Sequence, residues 1–231
     1  MGKYDQVKKE VLACTQWLSE HGYFGALRGT GGNVSMRIAG EQAVAVTPST
    51  LPYRDLSFTD ICIVDFELQP IEGDLPPSVE TGMHIAVYRN RLDVNAVVHT
   101  HQVKASVLSL IDTPLPALYD EVALHIGNEV AIVPYALSGT PELIANVTAK
   151  LANNCHGDIL QNHGALNLGE TLEKAWLNVE LLEKTAETYL TALSCGREII
   201  PLPTDIVDLL VVLRKDAQDK AIARNQALLE T

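Results

Sequence analysis

The chain has 231 residues, 47% hydrophobic and 20% charged, with a formal net charge of −12. Its length and balance suit one globular domain with a sizeable core and exclude a disordered polymer. The acidic charge argues against nucleic acid and anionic membrane surfaces as partners, and no apolar run is long enough to span a bilayer.

The N-terminal residues carry no apolar signal core, and Cys14, Cys62, Cys155 and Cys195 form no Cys-x-x-Cys pair. Both features predict a cytoplasmic protein with reduced thiols. Over residues 4–21, Val7, Val11, Cys14 and Leu18 recur at helical spacing, with Gly22 as the stop. A glycine-rich loop follows, Gly29-Thr30-Gly31-Gly32-Asn33-Val34-Ser35. It is either a plain turn or a backbone that approaches a ligand and converges N–H groups on an anion. It matches neither a dinucleotide fingerprint nor a phosphate loop, so nucleotide binding is not expected. Strands are predicted at 44–46 and 61–64, with a loop at 75–77. Ser78 is placed to cap a helix running to Arg91, with Glu80 in its first turn. Glu80 is then a capping carboxylate or a general base, its pKa rising once metal and substrate shield it from water. His84, one turn further on, is a structural histidine or joins a polar cluster.

Asn95-Ala96-Val97-Val98 reads as a strand leading into His99-Thr100-His101. Residues i and i+2 of a strand share a face, so His99 and His101 make two thirds of a three-histidine metal site, or two satisfied polar side chains at a sheet end. His163, in Gln161-Asn162-His163-Gly164 after a short strand at 158–160, is the candidate third ligand. Three neutral imidazoles with one open position recur in catalytic zinc centres. The other predicted elements are a helix at 105–110, a strand at 130–133 closed by Pro134, a helix opened by Thr140-Pro141-Glu142, and long helices at 172–193 and 206–229. Tyr119-Asp120-Glu121 follows the rigid turn Thr113-Pro114-Leu115-Pro116 and offers proton donors or a solvated loop. His21, His125 and His156 lack a partner motif and read as structural. Interleaved strands and helices predict a single α/β domain with a mixed or partly antiparallel central sheet between helices.

Six segments now fall into one series: Gly32-Asn33-Val34-Ser35, Thr47-Pro48-Ser49, Ser78-Val79-Glu80, Val97-Val98-His99-Thr100-His101, Pro134-Tyr135-Ala136 with Gly139-Thr140, and Gln161-Asn162-His163-Gly164. In this order and spacing they resemble the class II aldolase/adducin-head family, which includes fuculose-phosphate aldolase and ribulose-phosphate 4-epimerase. The likeness covers about residues 5–200. It implies one three-layer αβα domain over 1–231, assembled as a homotetramer with active sites between subunits. It implies one Zn2+ per chain on His99, His101 and His163, with Glu80 as acid/base and as a ligand when substrate is absent. Imidazole also accepts Mn2+, Co2+ or Fe2+. Gly32, Asn33, Ser49 and Ser78, with Arg28 beside the loop, would receive the substrate phosphate. Asp120, then Tyr119 or Glu121, would carry the second proton. The implied reaction is retro-aldol cleavage of a short ketose, such as a ketose 1-phosphate, to a hydroxyketone and an aldehyde through a metal-stabilised enediolate. Alternatives at the same site are a 4-epimerase or a 3-keto-acid sugar phosphate decarboxylase or dehydratase; an alternative of another class is a non-catalytic adducin-like binding module. Against the fuculose-type pattern, Val79 replaces a serine, Thr50 replaces a glycine, and no tyrosine follows Tyr189.

Overall fold

The computed structural model describes residues 2–25, 31–49 and 51–230. Its first helix, α1 (Asp5–Glu20), leads into β1 (Asn33–Arg37), β2 (Ala43–Val46), β3 (Cys62–Asp65) and β4 (Pro70–Glu72). Then come α2 (Thr81–Asn90), β5 (Ala96–Thr100), α3 (Val103–Leu110), β6 (Leu115–Pro116), α4 (Asp120–His125), β7 (Glu129–Val133) and α5 (Pro141–Lys150). A hairpin of β8 (Gly157–Leu160) and β9 (Gly164–Gly169) precedes the long helices α6 (Leu172–Ser194) and α7 (Thr204–Leu229). The strands form one sheet in the order β4-β3-β2-β1-β5-β9-β8-β7-β6. Among the described residues β7 and β8 pair in parallel and every other neighbouring pair is antiparallel.

Alternation along the strands feeds two helical layers. Val44, Val46, Val97, Leu166 and Leu168 pack with Met83 and Val87 of α2 and Leu143 and Val147 of α5. The opposite face sends Ala43, Ala45, Ile63, Ala96 and Val98 against Val11, Cys14 and Leu18 of α1 and Val179 of α6. Further along that face, Ile159 and Ala165 meet Leu108 of α3, Val122 of α4 and Leu182 of α6. This is the expected three-layer αβα sandwich with a mixed sheet.

Three local expectations are corrected. The glycine loop ends earlier than predicted: Asn33, Val34 and Ser35 are already in β1, hydrogen-bonded on both sides by β2 and β5. Ser78 does not cap α2. Glu80 is its N-cap residue, and the Ser78 hydroxyl instead accepts the Glu80 backbone N–H at 3.3 Å. Tyr119-Asp120-Glu121 is not a loop; Tyr119 is the N-cap of α4, whose first turn holds both acids, as suits a helix N-terminus.

The segment that leads into the β8–β9 hairpin is tied to α7 by a buried polar network. Asp93 accepts from Arg91 at 2.8 and 2.7 Å and from Gln218 at 3.0 Å, and meets His156 at 3.1 Å. The carbonyl of Asn154 receives Arg91, Arg214 and Gln218. Removing one partner of a buried ion pair leaves the other uncompensated, which costs about 3–5 kcal/mol. Asp93→Ala is therefore expected to lower unfolding stability by about that much in denaturant titration. A loss within about 0.5 kcal/mol, the range of an ordinary surface substitution, would show that the network does not hold the fold.

Candidate metal centre

The register of the sheet builds the site. Asn33 of β1 lies opposite His99 of β5, and β5 pairs on its other side with β9, the strand that follows His163. Val97 and His99 share the face that packs on α2, where Glu80 begins the helix. His101 stands just past the strand, its N–H donating to the Tyr23 carbonyl at 2.9 Å. Asn162 takes a positive φ of 56° in the β8–β9 turn, a conformation asparagine tolerates, and so delivers His163 to the same point. The approach leaves no room for a side chain at two glycines. A Cβ on Gly164 would lie 2.1 Å from the Thr100 carbonyl oxygen, and one on Gly32, at φ 73°, would lie 2.6 Å from that of His99.

One ring nitrogen from each of His99, His101 and His163 falls in a group no more than 4.8 Å across. His99 Nε2 lies 3.1 Å from His101 Nε2 and 3.3 Å from Glu80 Oε2; His163 Nε2 lies 3.4 Å from Glu80 Oε1. His99 Nδ1 is 2.9 Å from the Ala165 carbonyl, which can only accept. That bond makes Nδ1 the donor and turns the Nε2 lone pair of the neutral ring inward. Nitrogen lone pairs and a carboxylate facing one another repel unless a cation lies between them. The donor set therefore fits a divalent metal, with imidazole nitrogens suited to zinc and its neighbours. Burial first, then the neighbouring rings, depress His101 to about 4, and burial lowers His163 as well, so both favour the neutral, ligating form.

Glu80 is 5% exposed. Burial pushes its carboxyl up, but His99, His163, Ser138 and Asn33 together outweigh that and hold it at about 2 in the metal-free chain. The Asn33 amide donates to Oε2 and the Ser138 hydroxyl to Oε1, each at 2.8 Å. Ser138 escaped the sequence reading although it stands between two quoted segments; nothing in a lone serine signals a distant carboxylate partner. His84 does join a polar cluster: its Nδ1 and the Tyr88 hydroxyl both meet the Ser35 hydroxyl at 2.7 Å beneath the site.

The predicted anion-binding residues gather here in part. The Ser49 N–H donates to the Pro76 carbonyl and the Ser78 N–H to the Thr47 carbonyl, which lash their two loops together. The Gly32 carbonyl accepts the Tyr53 hydroxyl, and Asn33 reaches Glu80. Arg28 and Thr50 lie outside the described residues. Tyr119, Asp120 and Glu121 are not brought to the histidines by hydrogen bond or ion pair. The Lys184 ammonium lies 2.5 Å from Glu121 and over the Tyr119 ring at 5.6 Å.

A three-layer α/β sandwich that aims three imidazoles and a carboxylate at one point belongs to the class of metal-dependent enzymes. Residues 9–212 match the model of the family "Class II Aldolase and Adducin N-terminal domain". The chain belongs to this class II aldolase family. It is 38% identical over 192 residues to L-fuculose phosphate aldolase of Escherichia coli K12, covering 83% of this chain and 86% of that one. The corresponding Haemophilus influenzae enzyme is 36% identical over 76% of this chain and 79% of its own. The solved structure of an L-fuculose 1-phosphate aldolase superposes with a TM-score of 0.84 at 32% identity, covering 91% of this chain and 96% of that one.

Two outcomes follow from the geometry. His101→Ala is expected to leave well under one metal ion per chain by elemental analysis; full occupancy would refute its part in the centre. The second outcome concerns acid. Burial holds His84 at about 3 and, with the adjacent rings, His101 at about 4, against 6.5 for the ordinary imidazole. Between pH 6.5 and 4 these two imidazoles bind more protons in the unfolded chain than in the folded one, so together they lower stability as pH falls through that window, outweighing the single opposite contribution of buried Asp158, raised to about 7. The urea midpoint of the metal-free protein should drop between pH 7 and pH 4.5, and a constant midpoint would contradict the assignment.

Proposed function

We propose that residues 1–231 form one domain of a zinc-dependent aldolase that cleaves a short ketose 1-phosphate to a hydroxyketone phosphate, of the dihydroxyacetone phosphate kind, and an aldehyde. The observation that carries this reading is the convergence of His99, His101, His163 and Glu80 in a chain so similar to fuculose phosphate aldolases. Zinc on the three imidazoles would supply a Lewis acid for the negative charge that develops on the ketose oxygens as the carbon–carbon bond breaks. Glu80 moves the proton on carbon: its ionised carboxylate takes it from the hydroxyketone in condensation and returns it in cleavage. Asn33 and Ser138, one on each carboxylate oxygen, keep that group in a single orientation, so less alignment must be achieved at the moment of reaction. Gly32, Asn33, Ser49 and Ser78 are assigned to the phosphate side. Asp120, or Tyr119, is assigned the aldehyde-side proton from a neighbouring copy in a homotetramer, since within one chain no hydrogen bond or ion pair brings them to the histidines and Tyr119 lies under Lys184 of α6. A cytoplasmic location accords with the scattered cysteines and with the lack, among the described residues, of any helix long and apolar enough to cross a membrane.

The test pairs metal analysis with assays of fuculose 1-phosphate cleavage and of condensation, using dihydroxyacetone phosphate and then dihydroxyacetone as donor. Near-stoichiometric zinc with condensation is expected. Glu80→Gln should keep the metal and lose at least about 100-fold in kcat, the usual worth of a positioned acid or base. Wild-type turnover in that variant would remove Glu80 from the role. Metal without carbon–carbon cleavage would move the assignment to the epimerase, decarboxylase or dehydratase reading. This alternative is kept because YgbL of Escherichia coli, described as a candidate aldolase, epimerase or decarboxylase, superposes at a TM-score of 0.79 and 26% identity over 91% of this chain and all of that one. A chain that takes up no metal would be the binding module.

A further inference from the structure

Arg214 is a buried charge without a carboxylate of its own. It is 5% exposed, and among the described residues no Asp or Glu oxygen lies within 4 Å of it. One terminal nitrogen donates to the Asn154 carbonyl, while its Nε, also buried, has no partner. The nearby acids are engaged elsewhere: Asp93 by Arg91, His156 and Gln218, and Glu170 by Lys174 at 3.3 Å. A guanidinium stays ionised in any protein setting, and leaving one in a dry interior without a counter-charge is costly.

Arg214 forms one wall of a cavity of about 200 Å³ between α4, α6 and α7. His125 of α4 and Lys174 and Asn178 of α6 form other walls, and none of these residues takes part in the metal centre. Burial first, and then Lys174, hold His125 below its ordinary value, so it faces the cavity as a neutral ring able to donate one N–H. Arg214, Lys174 and the His125 ring thus line one cavity, with Glu170, paired to Lys174, the single carboxylate among the lining residues, so the set carries a net positive charge. That net charge disfavours a cation, while Leu124, Leu213 and Ala217 supply the apolar part of the lining. The charge suits a compact oxyanion, which would give Arg214 its missing counter-charge through charge-assisted hydrogen bonds.

We propose that this cavity is an oxyanion-binding site separate from the metal centre, and that it takes inorganic phosphate or a phosphate monoester. Occupation pins α7 to α6, because Arg214 and Lys174 then share a ligand across the two helices.

The test is thermal unfolding and calorimetric titration of the metal-loaded protein with inorganic phosphate, glycerol phosphate and acetate. The wild type should show a phosphate-dependent rise in Tm. Lys174→Met and Arg214→Met should each weaken phosphate binding at least about tenfold, the effect of losing a hydrogen bond to a charged group, while aldol turnover is unchanged. Ser78→Ala, at the other proposed anion site, should keep the Tm rise. Glycerol phosphate binding as well as phosphate identifies the site as open to monoesters, and acetate binding equally well would overturn the phosphate preference. Absence of any rise in the wild type, its loss in Ser78→Ala alone, or its full survival in Lys174→Met would overturn the proposal. Lys174 is 42% exposed, against 5% for Arg214, so its replacement is the milder change and decides the matter even if Arg214→Met fails to fold.

Discussion

Glu80 places one carboxylate oxygen 3.3 Å from His99 and the other 3.4 Å from His163, so a single charge is shared between β5 and the β8–β9 turn. Asn33 and Ser138 tie the same group to β1 and to the segment before α5. Four separate stretches of chain therefore meet at one side chain that is itself fixed at the start of α2. Such an arrangement is expensive to assemble in a dry interior, because every group in it is polar. It is supported on one face by apolar packing of Val97, Leu166 and Met83, which keeps the strands and α2 from adjusting.

Much of the centre was legible because its signals are local. His99 and His101 sit two apart on a strand, and the strand itself announces its shared face. Glu80 and His163 could be attached through the serial order of short segments. What could not be read were contacts set by register and by turns. Asn33 looked like part of a loop because glycines precede it, yet pairing with β5 draws it into the sheet opposite His99. Tyr119-Asp120-Glu121 looked like a loop because prolines precede it, yet the same prolines release a short helix whose first turn favours acids. Ser138 carries no periodicity and no spacing rule, so only the folded chain reveals it.

The last helix breaks the ordinary pattern in an informative way. Along α7 the buried positions Arg214, Gln218, Ala221 and Asn225 recur at helical spacing, and three of the four are polar. Leu209, Val212 and Leu213 point outward instead. Asn225 donates to the Leu92 carbonyl at 2.6 Å and to the Asn95 side chain at 2.9 Å, while Gln218 reaches Asp93. A helix docked by directed hydrogen bonds rather than by grease has a defined register but a small hydrophobic contribution. The sequence predicted a long helix at 206–229, and the structure shows that its polar stripe, not its exposed leucines, is the buried face. The family match ends at residue 212, just before this polar stripe, so the mode of docking belongs to the part of the chain that the family model does not describe.

Folding and metal affinity are coupled in such a molecule. His99 Nε2 faces His101 Nε2 at 3.1 Å and the Glu80 carboxylate at 3.3 Å, so ring lone pairs and a negative charge crowd one point. A divalent ion held by His99, His101 and His163 would relieve that crowding. An ion present at 1,000 times its dissociation constant adds about 4 kcal/mol to the folded state. That is comparable with the loss expected from breaking the Asp93 network at the other end of the same strands. The two ends differ in kind: the network near α7 is closed by the chain's own hydrogen bonds and ion pairs, whereas the centre presents a donor set that a cation would complete. Asn33 and Ser138 hold both oxygens of Glu80 whatever its other partners are, so the orientation of that carboxylate is set by the fold itself.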